Sequence, residues 1–209
     1  MQILQHSDQR EDLLIDAAAQ CIRAGGTLVF PTETVYGLGA AAEDDGAIEA
    51  IYRAKGRAFN KPLALHVAVV AQAQPFVARW PHAALRAIDH FWPGALALIV
   101  PRVPGRFEKA SAGFATISVR CPSHALTQKI LARTGALAAT SANRSGAPAF
   151  DGSAARSADL PPASLAIVAG PTALQRESTI MDCTLDPPAV LRWGAIDRRS
   201  LEAVMGTLA

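Results

Sequence analysis

Residues 53–67 read RAKGRAFNKPLALHV and combine the end of a helix, a turn and the start of a strand. The run AIEAIYRAK (47–55) is helical in pattern, and Gly56 follows it at a position where glycine commonly ends helices. Pro62 then opens an apolar run that favours a strand. Four cations lie across this turn with no acid among them: Arg53, Lys55, Arg57 and Lys61. Such close cations are tolerated when they are solvated or when they share an anion.

The alternation of helix and strand continues on both sides of this stretch. Further helices are predicted over 9–24, 82–92 and 125–133; Asp44 or Asp45 is predicted to cap the helix through 47–55, and Ser123 the last one. Strands are predicted over 27–30, 62–70, 95–101, 115–121, 136–140, 164–170, 178–184 and 189–193. Interspersed helices and strands predict an α/β fold with a mixed sheet. We expect a single domain over residues 1–209, with 146–164 as a surface excursion.

Composition narrows the class of protein. Half of the residues are apolar and only 18% are charged, which is typical of a packed globular chain. The apolar runs are short, and the N-terminus lacks the basic start of a signal peptide, so we expect a cytoplasmic protein with no membrane partner. Three widely separated cysteines, Cys21, Cys121 and Cys183, lack metal-ligand spacing and predict free thiols and no protein-held metal.

Charge is distributed unevenly along the chain. Residues 1–49 hold two cations and nine acids (−7), residues 50–150 thirteen cations and two acids (+11), and residues 151–209 five cations and seven acids (−2). A basic middle third indicates an anionic ligand or scattered surface arginines, and charge alone does not decide between them. The common nucleotide and zinc signatures GxxxxGK[ST], GxGxxG, HExxH and CxxC are absent from the sequence.

Four segments at predicted strand ends carry polar groups suited to a small ligand. They are FPTETVYGLGA (30–40), the basic turn of 53–61, ATISVRC (115–121) and AATSANRSGAP (138–148). Alternation on a strand places Thr116, Ser118 and Arg120 on one face, where the arginine could enter a cleft. Each segment also has a plainer interpretation as an ordinary turn, a solvated helix end or an exposed sheet face. His66 is either a satisfied core histidine or a ligand contact.

Taken in order, these segments resemble the YrdC-like threonylcarbamoyl-AMP synthases. The matching stretches are GGTLVFPTETVYGLGA, AKGRAFNKPLALHV, FWPGALALIVP, ISVRCP, AATSANRSG and RESTIMDCT, within about residues 10–194. The resemblance implies a twisted mixed sheet with flanking helices around a concave, positively charged cavity. It also implies synthesis of threonylcarbamoyl-AMP and pyrophosphate from L-threonine, bicarbonate and ATP with Mg²⁺, for N6-threonylcarbamoyladenosine in tRNA. Downstream tRNA threonylcarbamoyl transferase proteins are the implied partners.

The resemblance also assigns roles to individual residues. Lys55 and Arg57 are the implied catalytic cations, acting by positioning and charge neutralisation at the phosphates. The implied nucleotide side consists of Lys55, Arg57, Lys61, Thr116, Ser141, Asn143 and Arg192. The implied threonine side consists of Thr34, His66, Arg120, Ala139 and Ser178. Arg120 is expected to pair with the threonine carboxylate, a bidentate contact that lysine makes poorly.

Departures from the family pattern and three alternatives remain. Ala58 replaces a usual proline, and the loops at 146–152 and 169–176 are altered, which bears on ligand closure. The extra C-terminal domain of longer relatives is not expected. The alternatives are a module that binds tRNA or double-stranded RNA through phosphates, a paralogue without synthase activity, and a carbamoyl-transfer domain. Intact KGR and TSAN disfavour the second, and absent zinc-finger-like cysteines disfavour the third.

Overall fold

The computed structural model describes residues 1–6, 10–152 and 160–209. Five α-helices are present in this part of the chain: α1 (Glu11–Arg23), α2 (Asp45–Lys55), α3 (His82–Phe91), α4 (Ala125–Thr134) and α5 (Arg198–Met205). A short 3₁₀ helix covers Val70–Ala73. No helix in the described ranges is long and apolar enough to cross a bilayer.

Ten strands of the described chain form a single twisted mixed sheet. They are β1 (Gln2–Gln5), β2 (Leu28–Phe30), β3 (Gly37–Ala41), β4 (Ala64–His66), β5 (Leu96–Pro101), β6 (Thr116–Arg120), β7 (Leu137–Ser141), β8 (Leu165–Val168), β9 (Thr179–Asp182) and β10 (Ala189–Arg192). Their order is β1-β8-β2-β3-β7-β4-β6-β5-β9-β10. Parallel pairs such as β4–β6 and antiparallel pairs such as β5–β6 confirm the predicted mixed α/β sheet.

The helices cover the two faces of the sheet unequally. On one face α1 and α4 pack against β2, β7 and β8 through apolar residues that include Leu14, Ile22, Ile130 and Leu137. On the other face α2, α3 and α5 contribute to the larger core. Within the described residues, the side chains that β4, β6, β5 and β9 present to the first face line an open cavity, which is the site described below.

The ends of α2 explain why the basic turn has a defined shape. The Asp44 side chain accepts a hydrogen bond from the Ala47 amide at 2.9 Å, which confirms the predicted acidic cap. At the other end Gly56 adopts a left-handed conformation with φ of 59°, which glycine tolerates without strain. The chain therefore leaves the helix in a fixed direction and enters β4 eight residues later.

Some predicted details are wrong. The strand expected over 62–70 is only Ala64–His66, because the chain turns into the 3₁₀ helix. Ser123 does not cap α4; the N-cap residue is His124, and the Ser123 amide donates instead to Glu33. The strand β1 and the helix α5 were not predicted. Residue 9 of the predicted first helix and residues 153–159 of the predicted excursion lie outside the described residues.

Candidate active site

A cavity of about 610 Å³ lies on the partly uncovered face of the sheet. This volume falls in the range of roughly 300–1,000 Å³ that is usual for small-molecule sites. Thr116, Ser118 and Arg120 of β6 all line it, which confirms that they share one strand face. The neighbouring strands contribute Ala64 and His66, Ala97 and Ile99, Ala139 and Ser141, and Ile180 and Asp182.

The structure brings most of the predicted site residues to this cavity. Nine of the twelve line it: Arg57, Lys61, His66, Thr116, Arg120, Ala139, Ser141, Ser178 and Arg192. The other three do not, but each contacts a lining residue. Lys55 and Asn143 bond to Ser141, and the Thr34 hydroxyl lies 2.9 Å from the hydroxyl of Thr32.

The basic turn presents Arg57 and Lys61 to the cavity on a backbone scaffold. Arg57 Nε donates to the Lys61 carbonyl at 3.2 Å, and Nη2 donates to the Pro62 carbonyl at 2.9 Å. In the described part of the chain, neither Arg57 nor Lys61 forms an ion pair with a carboxylate. No carboxylate contact in the described residues offsets their positive charge, and their contact with phosphates stays a prediction.

Arg53 differs from them. Its guanidinium lies 3.3 Å from Glu49 one helical turn earlier, and its side chain is largely exposed. Within the described chain, its charge is thus partly offset by an acid of its own helix, unlike that of the other cations of the turn. Arg53 is a solvated helix residue outside the cavity.

Lys55 is buried and turned toward the backbone rather than into the cavity. Its ammonium donates to the carbonyl oxygens of Ser141 and Asn143 and, at 3.0 Å, to Asn143 Oδ1. Burial, helped by the nearby charge of Arg57, lowers the pKa of Lys55 to about 8. The lysine thus fixes the segment after β7 against the end of α2.

Arg120 forms a buried ion pair with Glu33, an acid that the sequence analysis did not identify as a site residue. Its Nη2 donates to Glu33 Oε1 at 2.8 Å, and its Nε donates to the Gly94 carbonyl at 3.2 Å. Glu33 Oε2 also accepts from the Ser123 amide at 3.1 Å. Glu33 lies in FPTETVYGLGA (30–40), which the sequence proposed as a ligand segment because of its threonines, tyrosine and glycines. Nothing in the sequence indicates that Glu33 pairs with Arg120, 87 residues away.

His66 lies beside Arg120 because β4 and β6 pair in parallel with these residues in register. Its ring meets Phe30 edge-on, with centroids 6.0 Å apart. Burial and the positive charge of Arg120 lower the pKa of His66 to about 3. The imidazole is therefore neutral near pH 7, where it offers a hydrogen bond rather than a charge.

Arg192 of β10 and Ser178 form another wall of the cavity. Arg192 Nε and Nη2 both donate to the Ser178 carbonyl, at 3.1 and 2.9 Å, and Nη1 lies 2.7 Å from Glu177. Glu177 and Asp182 also line the cavity and were not predicted. Both lie within the RESTIMDCT stretch (176–184), and this was the available signal. Four cations and two acids thus face the cavity: Arg57, Lys61, Arg120, Arg192, Glu177 and Asp182.

Comparison with known proteins gives one consistent family. The family model Sua5_yciO_yrdC, described as "Telomere recombination", matches residues 20–194. A threonylcarbamoyl-AMP synthase of Bacillus subtilis is 39% identical over 200 residues, covering 94% of this chain and 58% of that protein. A putative threonylcarbamoyl-AMP synthase of Mycobacterium leprae is 35% identical over 204 residues, covering 96% of this chain and 91% of that protein.

A solved structure matches closely as well. The structure of Pyrococcus abyssi Sua5 complexed with L-threonine superposes with a TM-score of 0.90 at 34% identity, covering 99% of this chain. The chain spans 61% of that protein. It therefore spans less than two thirds of the length of the Bacillus and Pyrococcus proteins, but nearly all of the mycobacterial one.

Proposed function

The chain belongs to the Sua5/YciO/YrdC family, and on that premise we propose that it is an L-threonylcarbamoyladenylate synthase. It would form threonylcarbamoyl-AMP and pyrophosphate from L-threonine, bicarbonate and ATP, a nucleotidyl transfer. The observation that carries the proposal is that one cavity collects nine of the twelve side chains expected for this reaction. The relatives named threonylcarbamoyl-AMP synthase and the related structure with L-threonine support it.

We assign the threonine side to the deep part of the wall around Arg120. The guanidinium is buried, and in the described residues its Nη1 has no protein acceptor, so it is free to pair with the threonine carboxylate. His66, Thr34, Ser178 and the backbone near Ala139 complete this side. A neutral His66 suits the contact, because a second cation beside Arg120 would repel the threonine ammonium.

We assign the nucleotide to the basic turn and the segments that adjoin it. Arg57 and Lys61 would contact the phosphates directly, since no carboxylate of the described residues pairs with either. Lys55 would support them by fixing Ser141 and Asn143 in place. Thr116 and Arg192 would complete the nucleotide side from the sheet face.

The chemistry requires two anions to approach each other. Bicarbonate loses hydroxide to give carbon dioxide, and the threonine amine adds to its carbon and gives up a proton, which leaves with the hydroxide as water. An oxygen of the resulting carbamate then attacks the α-phosphorus. The bond from the α-phosphorus to the bridging oxygen breaks, and pyrophosphate leaves. Fixed cations lower the cost of this approach, so positioning and charge neutralisation would supply most of the rate.

Mg²⁺ would enter with the triphosphate. The described residues contain no cluster of three or more His, Cys, Asp or Glu side chains that could hold a metal ion. Nucleotide oxygens would therefore supply most of the Mg²⁺ ligands. When bound, it would offset phosphate charge. The product, threonylcarbamoyl-AMP, would pass to tRNA threonylcarbamoyl transferase proteins. We place this reaction in the cytoplasm.

The test is release of pyrophosphate from ATP by the purified chain. Release should require both L-threonine and bicarbonate, and L-serine should support it poorly. Equal turnover with serine, or turnover without bicarbonate, would contradict the proposal. Salt-sensitive binding of tRNA with no threonine-dependent turnover would favour the RNA-binding alternative.

A further inference from the structure

Glu177 is an unexpected residue in a cavity that should attract phosphates. Its carboxylate lies 2.7 Å from Arg192 Nη1, and the two side chains are 42% and 40% exposed. Both residues line the cavity. The Glu177 carboxylate repels an anionic ligand, and its ion pair with Arg192 competes with the contact that the ligand would make to this arginine.

The Glu33–Arg120 ion pair differs from the Glu177–Arg192 pair because it is buried. The Glu33 and Arg120 side chains are only 11% and 6% exposed, and Glu33 is not among the residues that line the cavity. A ligand that reaches Arg120 therefore leaves its ion pair intact. A ligand that reaches Arg192 meets Glu177 on the same surface.

Arg192 does not depend on Glu177 for its orientation. Two of its nitrogens donate to the Ser178 carbonyl, and only Nη1 lies against Glu177. Releasing the carboxylate would cost one charge-assisted contact and leave the guanidinium in place. An exposed pair of this kind is worth no more than about 1 kcal/mol, so a phosphate group can replace it.

The field of Glu177 also reaches the basic turn. Its negative charge acts to raise the pKa of both Lys55 and Arg57, against the larger lowering by burial. The carboxylate therefore interacts with cations of the basic turn as well as with Arg192. Glu177 thus lies near Arg57 and Arg192, the cations that would bind a polyphosphate.

We propose that Glu177 is a displaceable counter-ion, whose carboxylate holds the place beside Arg192 Nη1 that a phosphate group takes when the ligand binds. The identity of the ligand rests on the proposed function. The consequence is a specific one: Glu177 weakens polyphosphate binding, and its return to Arg192 favours release of pyrophosphate.

Calorimetric titration of pyrophosphate and of ATP, each with EDTA and with Mg²⁺, tests this. The variants are Glu177→Gln and Glu177→Ala. Both should bind pyrophosphate with a Kd about 3- to 5-fold lower than the unsubstituted chain, which corresponds to removing one exposed competing contact worth up to about 1 kcal/mol. Glu202→Gln is the matched control, because it removes the acid of the exposed Arg198–Glu202 pair on α5, away from the cavity. It should leave the Kd unchanged.

The outcomes separate this inference from the proposed function. An unchanged or higher Kd in both Glu177 variants would overturn the counter-ion role. Weaker binding only in the presence of Mg²⁺ would make Glu177 a metal ligand and also overturn it. If the unsubstituted chain binds neither pyrophosphate nor ATP, the proposed function itself fails, and this inference fails with it.

Discussion

Glu33 forms a buried ion pair with Arg120 and, unlike Arg120, is not among the residues that line the cavity. Its Oε1 accepts from Arg120 Nη2 at 2.8 Å, and both side chains are almost fully buried. Because Glu33 also accepts from the Ser123 amide, its carboxylate is fixed at two points. The arginine is thereby oriented before any ligand arrives, which is the condition for strong electrostatic recognition.

Glu33→Gln should therefore affect both stability and threonine binding. Glutamine keeps the shape but removes the counter-charge of a buried guanidinium, so we expect the free energy of unfolding to fall by about 2 kcal/mol. The Kd for L-threonine should rise by about 10-fold, whereas pyrophosphate binding changes less. Urea unfolding and calorimetry measure the two effects. Asp16→Asn is the control, since its pair with Arg133 is exposed and should matter by less than about 0.5 kcal/mol.

Arg57 and Arg53 provide a matched pair for the phosphate assignment. They lie four residues apart, Arg53 on α2 and Arg57 in the turn after it; Arg57 lines the cavity without an acid partner among the described residues, and Arg53 pairs with Glu49 in solvent. We expect Arg57→Ala to weaken ATP binding by about 100-fold and Arg53→Ala to leave it within about 2-fold. Both variants should remain folded by circular dichroism. Equal losses in the two would show that only general surface charge matters.

The fold was predictable where local signals are strong. Asp44 and Gly56 bound α2 as the sequence indicated, and the alternation of Thr116, Ser118 and Arg120 gave the cavity face of β6 correctly. The prediction was wrong where tertiary contacts decide. Serine is a common helix cap, but the backbone amide of Ser123 donates a hydrogen bond to the carboxylate of Glu33, 90 residues away.

The site shows the same division. The cations could be found because an acid-poor stretch of sequence has to find anions elsewhere. Their partners could not, because Glu33 and Glu177 reach Arg120 and Arg192 only through sheet pairing and loop packing. Lys55 looked like a phosphate ligand in sequence, yet its ammonium is engaged by three backbone and side-chain oxygens.

Lys55 should give the chain a distinctive stability profile in alkaline solution. Burial lowers the pKa of Lys55 from 10.5 to about 8 in the folded protein. Between these two values the unfolded chain binds more protons than the native one, so the contribution of Lys55 to the free energy of unfolding rises with pH. We expect a slope of up to about 1.4 kcal/mol per pH unit relative to Lys55→Met.

Urea unfolding of both proteins between pH 7 and pH 10.5 measures this difference. Lys55→Met lacks the titrating group, so its free energy of unfolding is the baseline against which the unsubstituted protein is compared. If the native protein instead loses stability relative to Lys55→Met as the pH rises above 10, the three oxygens hold the proton more strongly than burial expels it. The folded pKa would then lie above 10.5.

Gly194 should be required for the wall that carries Arg192. A Cβ at this position would lie 2.2 Å from the Glu177 carbonyl oxygen and 2.4 Å from the Ser178 carbonyl carbon, both backbone atoms that cannot rotate away. Gly194→Ala should therefore lower the free energy of unfolding by about 2 kcal/mol and weaken pyrophosphate binding by shifting Ser178. At Gly46 in α2 the nearest atom is a side-chain oxygen at 3.4 Å, so Gly46→Ala should be neutral or stabilise by up to about 1 kcal/mol. Urea unfolding and pyrophosphate titration of the two variants compare them directly, and equal behaviour would mean that the wall can move without affecting the site.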